Sequence, residues 1–153
     1  MQHRISCGAL VVRDGHILLV HHQRPGRQDF WVAPGGGVEG NEELARAAER
    51  ETLEETGIHV MATRLAYIDE GWSAEQRILK FWFLADYISG EPDSGNNPAD
   101  DESIVEAAWF PLDALPEGHV FPEPLKGRFG RDLAAGFPGA VKLPLHELLV
   151  GGD

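Results

Sequence analysis

The 153-residue chain has one cysteine, few basic side chains and no long apolar run, and each shortage excludes a class of protein. A single cysteine, Cys7, has no partner for an internal disulfide, which excludes a disulfide-stabilised extracellular scaffold. The sequence contains neither a recognisable signal peptide nor an apolar stretch of membrane-spanning length. We therefore expect a cytoplasmic protein that has no membrane partner.

The charge balance argues against a nucleic-acid polymer as the partner. The chain has 13 Lys and Arg residues against 25 Asp and Glu residues, a formal net charge of −12, and no basic stripe offsets it. A small nucleotide is not excluded, because bound cations invert the local charge of a site. The length and the ordinary composition, 42% hydrophobic and 25% charged, predict one domain over residues 1–153.

An acidic helix is the most informative feature that the chain does contain. Asn41 is predicted to be its N-cap and Gly57 to end it, so the helix should span about 15 residues. Glu51, Glu54 and Glu55 stand at positions i, i+3 and i+4 and therefore share one side of the helix. Their mutual repulsion and the helix dipole are each unfavourable by about a few tenths of a kcal/mol. A divalent cation bound by several carboxylate oxygens would relieve both penalties.

Three glycines precede this helix. Residues 31–34 are predicted to form a short strand and Gly35–Gly37 a tight turn, where the backbone can approach a ligand that side chains would block. A glycine-rich turn that leads into a helix N-terminus also suits phosphate groups. The glycine turn and the acidic helix together therefore predict a ligand site more strongly than either feature alone.

The rest of the pattern predicts a mixed β-sheet between helical layers. Asp14 and Gly15 join two apolar runs and indicate a hairpin. Further strands are expected over residues 59–68, 77–88 and 104–110, and a C-terminal helix over residues 125–135. Residues 141–150 show no pattern that assigns them to a helix or a strand.

Residues 36–58 resemble the Nudix box, G-x5-E-x7-R-E-U-x-E-E-x-G-U, in which U is a bulky aliphatic residue. The matching positions are Gly36, Glu42, Arg50, Glu51, Glu54, Glu55, Gly57 and Ile58. The one departure is Thr52, where the family prefers an aliphatic residue that packs against the sheet. The chain also resembles the family outside the box, at Trp31, Pro34, Glu39 and the run Trp109, Phe110, Pro111. The resemblance therefore covers residues 4–115.

The resemblance implies the α/β fold of a Nudix hydrolase, an α/β/α sandwich with a mixed β-sheet. It also implies a reaction in which water attacks one phosphorus of a nucleoside diphosphate linked to a variable group X and splits the pyrophosphate. Glu51, Glu54, Glu55 and the Gly36 carbonyl would hold the metal. Mg²⁺ is the expected ion, and Mn²⁺ should be able to substitute for it.

A glutamate is expected to take the proton from the attacking water. Glu54 and Glu55 are candidates in the helix, but a carboxylate bound to a divalent ion accepts a proton poorly. We therefore expect Glu102, at the end of a long polar loop, to be the base that closes over the substrate. Glu106 is the alternative, although it lies inside a strand pattern and could simply face solvent.

Three residues are candidates for substrate binding. Arg24 and Arg27, in the polar loop before residues 31–34, could hold a phosphate, although loop arginines are usually solvated. Trp72, expected in a loop between strands, could stack on a base or another ring. Arg50 is instead expected to orient a box carboxylate through a salt bridge.

The substrate stays open among nucleoside triphosphates, nucleotide sugars and molecules of the ADP-ribose type. The expected partner is such a small molecule, and a homodimer is compatible with the sequence. Two other classes of function remain: a catalytically silent nucleotide-binding or sensor module, and a structural domain whose acidic helix meets a basic partner. The three intact glutamates argue against the first, and metal-dependent hydrolysis would exclude the second.

Overall fold

The first two strands form a hairpin in this computed structural model, which describes residues 1–26, 28–93 and 103–148. The hairpin turn consists of Asp14 and Gly15, whose φ angles are 50° and 73°. Positive φ at both central residues gives the turn a twist that matches the flanking strands, and Asp-Gly is a favoured pair for it. The predicted hairpin is therefore confirmed.

The described residues contain ten strands and two α-helices. The strands are β1 (Gln2–Arg13), β2 (His16–Arg24), β3 (Gln28–Val32), β4 (Gly35–Gly37), β5 (His59–Trp72), β6 (Gln76–Ser89), β7 (Ile104–Pro111), β8 (His119–Phe121), β9 (Val141–Lys142) and β10 (His146–Glu147). The helices are α1 (Leu44–Thr56) and α2 (Phe129–Ala134), and a 3₁₀-helix, Glu123–Lys126, precedes α2. None of the helices in this part of the chain is both long enough and apolar enough to cross a membrane.

The strands form one mixed sheet with the order β10-β5-β6-β1-β2-β3-β8. Strand β1 runs parallel to β6 and antiparallel to β4, and its last residues pair with β2. Strand β7 pairs with β2, and β9 pairs with β5. The short β4 therefore lies beside β1, where it also meets α1.

Alternate residues of β1 face two separate apolar clusters, because successive side chains of a strand point to opposite faces. The helix-side cluster packs α1 on the sheet and consists of Cys7, Ala9, Val11, Leu18, Ala47, Ala48, Ile58, Val60 and Ala85. The aromatic cluster lies on the other face and includes Leu10, Tyr67, Trp82, Phe129 and Phe137. Helical elements thus cover both faces, which confirms the predicted α/β/α sandwich with a mixed β-sheet.

The C-terminal part corrects the prediction of a single helix over residues 125–135. The 3₁₀-helix is capped by Gly127, whose φ of −136° and ψ of −101° are not helical, and α2 begins only at Phe129. After α2 the chain returns to the sheet, where β9 and β10 both pair in parallel with β5. We call residues 141–148 the C-terminal segment. Its strands were missed because each has only two residues.

Candidate functional site

Helix α1 carries the predicted acidic site and ends where the sequence predicted. Gly57 adopts a left-handed conformation with φ of 78°, and its N–H donates to the Leu53 carbonyl. Ala47 and Ala48 are fully buried, which seats the helix directly on the sheet. Thr52, the departure from the motif, is also fully buried, and its hydroxyl donates to the Ala48 carbonyl at 2.8 Å. The substitution therefore leaves no unpaired hydroxyl in the core.

The start of α1 corrects the sequence prediction. Glu43 is the N-cap and the helix has 13 residues, while the predicted N-cap, Asn41, is exposed and lies before it. The turn before the helix is closed by Glu42, whose carboxylate accepts a hydrogen bond from the Glu39 N–H at 3.2 Å. A hydrogen bond between residues three apart thus closes this turn, and Asn41 does not cap the helix.

The three glycines form strand β4 and not the predicted turn. They pair antiparallel with residues 6–8 of β1. A side chain at Gly36 would displace the Glu51 carboxylate, because an added Cβ would lie 2.5 Å from its carboxylate carbon. The missing side chain therefore lets a box carboxylate lie directly against the backbone of β4.

Two hydrogen bonds tie the neighbouring elements to β4. The Gly35 N–H donates to Glu55 Oε1 at 3.0 Å, and the Ser6 hydroxyl donates to the Gly36 carbonyl at 2.8 Å. Glu51 and Glu55 are 8% and 3% exposed, so both carboxylates are buried at this contact. Ser6 was not identified from the sequence, because only the pairing of β1 with β4 brings it to the site.

Arg50 connects the acidic side chains to one another. Its Nη1 lies 3.1 Å from Glu51 Oε1 and 3.3 Å from Glu54 Oε2. Its Nε donates to Glu42 Oε2 at 2.8 Å, and its Nη2 donates to the Gly37 carbonyl at 3.0 Å. These acceptors, Glu42 above all, raise the pKa of the guanidinium, and the hydrogen bond from Arg50 lowers the pKa of the Glu42 carboxyl. The contacts agree with the orienting role predicted for Arg50.

The acidic side chains are candidate ligands of a divalent metal. Within residues 1–26, 28–93 and 103–148, no three His, Cys, Asp or Glu side chains form a preassembled metal centre. Glu51 and Glu54 nevertheless approach a single cationic atom, Arg50 Nη1, which shows that their oxygens can converge on positive charge. Glu55 and the Gly36 carbonyl adjoin them through β4. The donors are all oxygen and therefore fit a hard divalent ion.

The remaining predicted residues lie on other elements or outside the described part of the chain. Glu102 and Arg27 lie outside the described residues. Glu106, the alternative base, is exposed on β7, where it pairs with His21 of β2. Arg24 is exposed at the end of β2. Their proposed roles in proton transfer and substrate binding stay predictions.

The prediction that Trp72 lies in a loop is wrong. It is the last residue of β5 and pairs with Arg77 on one side and with Glu147 on the other. The chain extends its pairing there because β6 and the C-terminal segment both reach this end of β5. The Trp72 side chain is still 39% exposed, so a stacking role stays a prediction.

The imidazole of His22 is packed among other side chains and has a strongly lowered pKa. Burial is the main cause, the positive charge of Lys80 adds to it, and together with smaller contributions they lower the pKa of His22 to about 4. The imidazole stacks on Phe30 with ring centroids 5.0 Å apart, and its Nδ1 lies 3.1 Å from the Ser103 hydroxyl oxygen. His22 is therefore a packed neutral side chain at neutral pH.

Comparisons with known proteins agree with this arrangement. A family model described as NUDIX domain matches residues 2–129. The NAD-capped RNA hydrolase NudC of Shigella dysenteriae serotype 1 is 37% identical over 105 residues, which are 68% of this chain and 37% of that protein. The chain thus spans little more than a third of the length of this relative.

Solved structures match most of the fold. The MutT NUDIX hydrolase from Burkholderia pseudomallei has a TM-score of 0.68 and 35% identity, over 79% of this chain and 92% of that one. A NUDIX hydrolase from Nitrosomonas europaea has a TM-score of 0.68 and 29% identity, over 88% of this chain and 90% of that one. The residues matched by the family model include β4 and α1, whereas the C-terminal segment lies beyond them.

Proposed function

Because this chain belongs to the NUDIX domain family, as residues 36–58 predicted, we propose that it is a metal-dependent pyrophosphohydrolase. Its substrate would be a nucleoside diphosphate linked to a variable group X, and water would attack one phosphorus of the pyrophosphate. The observation that carries the proposal is the placement of Glu51. Its carboxylate lies against Gly36 and within hydrogen-bond distance of Arg50, so a box ligand is held at the glycine strand. The relatives named as hydrolases support the same reaction class.

A divalent metal is part of the proposal, since hydrolases of this family generally need one. Glu51, Glu54, Glu55 and the Gly36 carbonyl would hold it. Mg²⁺ suits a donor set made only of oxygen, and Mn²⁺ should replace it. When bound, the ion would offset the negative charge of the pyrophosphate and make a bound water more acidic.

The residues of the chain itself would keep the carboxylates in position. Arg50 approaches Glu51 and Glu54 with one nitrogen, and the Gly35 N–H holds Glu55. These contacts fix the direction of each carboxylate, which reduces the rearrangement that the reaction requires. The proton of the attacking water would pass to a carboxylate that is not a metal ligand. Glu102 is our candidate, and Glu106 is the alternative.

The substrate is proposed to be a small nucleotide. One relative is named for NAD-capped RNA, so a capped RNA end is the rival substrate. The net charge of −12 favours the small molecule, because affinity for a nucleic-acid chain depends largely on basic side chains that contact phosphates. Arg24 and Arg27 remain our candidates for a phosphate contact, and Trp72 for stacking on a ring.

A substrate screen tests this proposal. The protein is incubated with Mg²⁺ and a panel of nucleoside triphosphates, nucleotide sugars, ADP-ribose, NAD and an NAD-capped RNA, and phosphate is measured after coupling to a phosphatase. We expect turnover of at least one small nucleotide, loss of turnover in excess chelator, and recovery with Mg²⁺ or Mn²⁺. Activity that persists unchanged in metal-free buffer would contradict the metal assignment.

The silent binding module is distinguished by a second measurement on the same samples. A bound ligand raises the melting temperature whether or not it is cleaved, because it stabilises only the folded state. If Mg²⁺ and a nucleotide raise the melting temperature while no compound in the panel is turned over, the protein is a binding module and not a hydrolase. If the capped RNA alone is cleaved, the proposal of a small-molecule substrate is wrong, but the proposed class of reaction is supported.

A further inference from the structure

Arg4 places positive charge beside β4 and was not identified from the sequence as a site residue. It belongs to β1, and its guanidinium lies over Gly37. A Cβ added to Gly37 would be 3.3 Å from Arg4 Nη2, 3.5 Å from Nε and 3.8 Å from Cζ. Three atoms of the planar group are thus nearly equidistant from one point, which means that its flat face is turned to the glycine. Because residue 37 has no side chain, the guanidinium packs directly on the backbone of β4.

No carboxylate of the described residues offsets the charge of Arg4. The residue is exposed, and no described residue forms an ion pair or a hydrogen bond with its side chain. Arg50 is the opposite case. Its Nη2 also reaches Gly37, at the carbonyl oxygen, but the same guanidinium contacts the carboxylates of Glu42 and Glu51. The charge of Arg50 is therefore offset within the protein, whereas the charge of Arg4 is available to a ligand.

Arg4 and the proposed metal ligands approach β4 from different faces. Successive residues of a strand face opposite sides of the sheet. Gly36, which meets the Glu51 carboxylate, therefore faces one side, and Gly37 faces the other. In the described part of the chain, β4 pairs with β1 alone, so it is an edge strand there. A ligand at this edge can be contacted from both faces of the sheet.

The three glycines of β4 put no side chain between these two faces. Gly36 and Gly37 are neighbours in the chain, so their Cα atoms are about 3.8 Å apart. Two phosphoryl groups that share one bridging oxygen are separated by a similar distance. A pyrophosphate that crosses the edge of β4 can therefore have one phosphoryl group at the metal ligands and the other beside Arg4. A backbone without side chains lets both groups approach closely.

The chemistry of Arg4 suits a phosphoryl group. A guanidinium donates two parallel N–H bonds to the oxygens of one phosphate and stays charged at every physiological pH. The net charge of the chain is −12, so a polyanionic substrate gains from positive charge beyond that of the metal. Exposed arginines are commonly solvated, but packing on Gly37 holds this one in a fixed place. A group that is positioned beforehand loses less conformational entropy when the phosphate binds.

We propose that Arg4 is a substrate-binding residue that holds the phosphoryl group not bound by the metal ligands. The pyrophosphate crosses the edge of β4, with one phosphoryl group at Glu51, Glu54 and Glu55 and the other at Arg4. This assignment rests on the proposed function of α1 and β4, and it adds a contact from outside the box. Because every candidate substrate contains the pyrophosphate, the contact should contribute equally to all of them.

Binding without turnover tests the contact directly. Methylenediphosphonate, a pyrophosphate analogue whose bridging carbon resists hydrolysis, is titrated with Mg²⁺ into the wild type, Arg4→Gln and Arg4→Lys, and calorimetry measures the affinity. We expect Arg4→Gln to bind it about tenfold more weakly, as for one lost charge-assisted contact, and Arg4→Lys to recover part of the affinity. The loss should shrink at high ionic strength, because salt screens an exposed charge. Arg131→Gln is the matched control, since it removes the same charge from an exposed position on α2.

The kinetic arm uses every compound that the substrate screen finds to be cleaved. Arg4→Gln should lower kcat/KM about tenfold, through KM and by the same factor for each substrate, because it removes a contact made in the bound ground state. The kcat, the Mg²⁺ concentration required and the melting temperature should stay as in the wild type, since the Arg4 side chain has no partner among the described residues to lose.

The assignment of Arg4 and the proposed function can fail separately. Analogue binding that is absent in the wild type, unchanged in Arg4→Gln or equally weakened in Arg131→Gln would overturn the assignment, even if substrates are hydrolysed. A lower melting temperature of Arg4→Gln would also overturn it, because the residue would then be structural. If the analogue binds through Arg4 and no compound is hydrolysed, the proposed function is wrong while the assignment of Arg4 is supported.

Discussion

The two apolar clusters on either side of the sheet are built from side chains of very different size. Four of the nine buried members of the helix-side cluster are alanines, among them Ala47 and Ala48 of α1. The aromatic cluster is filled by Tyr67, Trp82 and Phe129. Because protein interiors are close-packed, side-chain size sets how near two elements can lie. Small side chains therefore suit close packing of α1 on one face, whereas aromatic rings fill the space under the C-terminal elements on the other.

This difference in size corresponds to a difference in role. On the helix side, α1 brings Glu51 and Glu55 into contact with β4. On the aromatic side, a cleft of about 620 Å³ opens between β5, the 3₁₀-helix and the C-terminal segment. The comparison assigns positioning of the proposed metal ligands to the helix side of the sheet.

The largest expected effect on stability comes from removing an aromatic side chain. Phe129 is fully buried against Tyr67 and Phe137, so Phe129→Ala should lower the free energy of unfolding by about 3–5 kcal/mol. On the helix side, Ala48→Leu should lower it by about 1–3 kcal/mol through overpacking. Urea unfolding measures both.

Turnover of the same two variants separates the roles of the faces. Ala48→Leu pushes α1 away from the sheet, so it should reduce turnover in addition to stability. Phe129→Ala should leave kcat near the wild-type value at a temperature where the variant is folded. If Ala48→Leu is as active as the wild type, close packing of α1 is not what positions the carboxylates.

The next effect concerns the charge of the carboxylates themselves. Glu54→Gln and Glu55→Gln should each fold normally but lose about 100-fold or more in turnover, because each removes negative charge from the metal ligands. Glu43→Gln is the control, since Glu43 precedes the same helix and caps it without a side-chain hydrogen bond. Steady-state kinetics at saturating Mg²⁺ checks this. A Glu54→Gln or Glu55→Gln variant as active as Glu43→Gln would remove that residue from the site.

Local signals explain which parts of the site the sequence predicted well. Gly57 ends α1 as expected, because a left-handed residue after a helix is a requirement of the local backbone. The one-sided array of Glu51, Glu54 and Glu55 depends only on helix periodicity. The resemblance of residues 36–58 predicted the family, which the family model over residues 2–129 confirms, and it supplied the expectation of a metal.

Pairing between distant segments explains what the sequence missed. The glycines form β4 and not a turn because β1 offers them a strand partner. Asn41 is a local exception, because α1 begins after Glu43 and the turn before it contains a hydrogen bond from the Glu39 N–H to Glu42. The C-terminal strands depend on β5, which lies about 75 positions earlier in the chain. No short-range pattern encodes that pairing, so these strands were not predictable.

Arg50→Ala should give a smaller loss of stability than Phe129→Ala, together with a loss of activity. It removes the donors that Glu42, Glu51 and Glu54 accept from, and a half-buried charged contact of this kind contributes about 1–3 kcal/mol. Arg46→Ala is the matched control, because Arg46 is exposed on the same helix, where its Nη1 lies 2.6 Å from Glu49 Oε1. Urea unfolding and turnover are measured on both variants. Full stability with collapsed turnover would give Arg50 a direct role in catalysis in place of an orienting one.

An effect similar in size to that of Arg50→Ala is the pH dependence of stability due to His22. Burial lowers its pKa in the folded state from 6.5 to about 4, so the folded protein favours the neutral imidazole. Between these two values the unfolded chain binds a proton that the folded protein does not, and stability falls as the pH is lowered. The contribution is therefore complete above about pH 6.5 and is lost towards pH 4, with a size of about 1–3 kcal/mol. Urea unfolding of the wild type and His22→Gln from pH 7 to pH 4.5 isolates it, since the other titrating groups cancel in the difference. The wild type should lose more stability than the variant over this range. If the difference between their free energies of unfolding stays constant with pH, His22 is protonated as readily in the folded protein as in the unfolded chain.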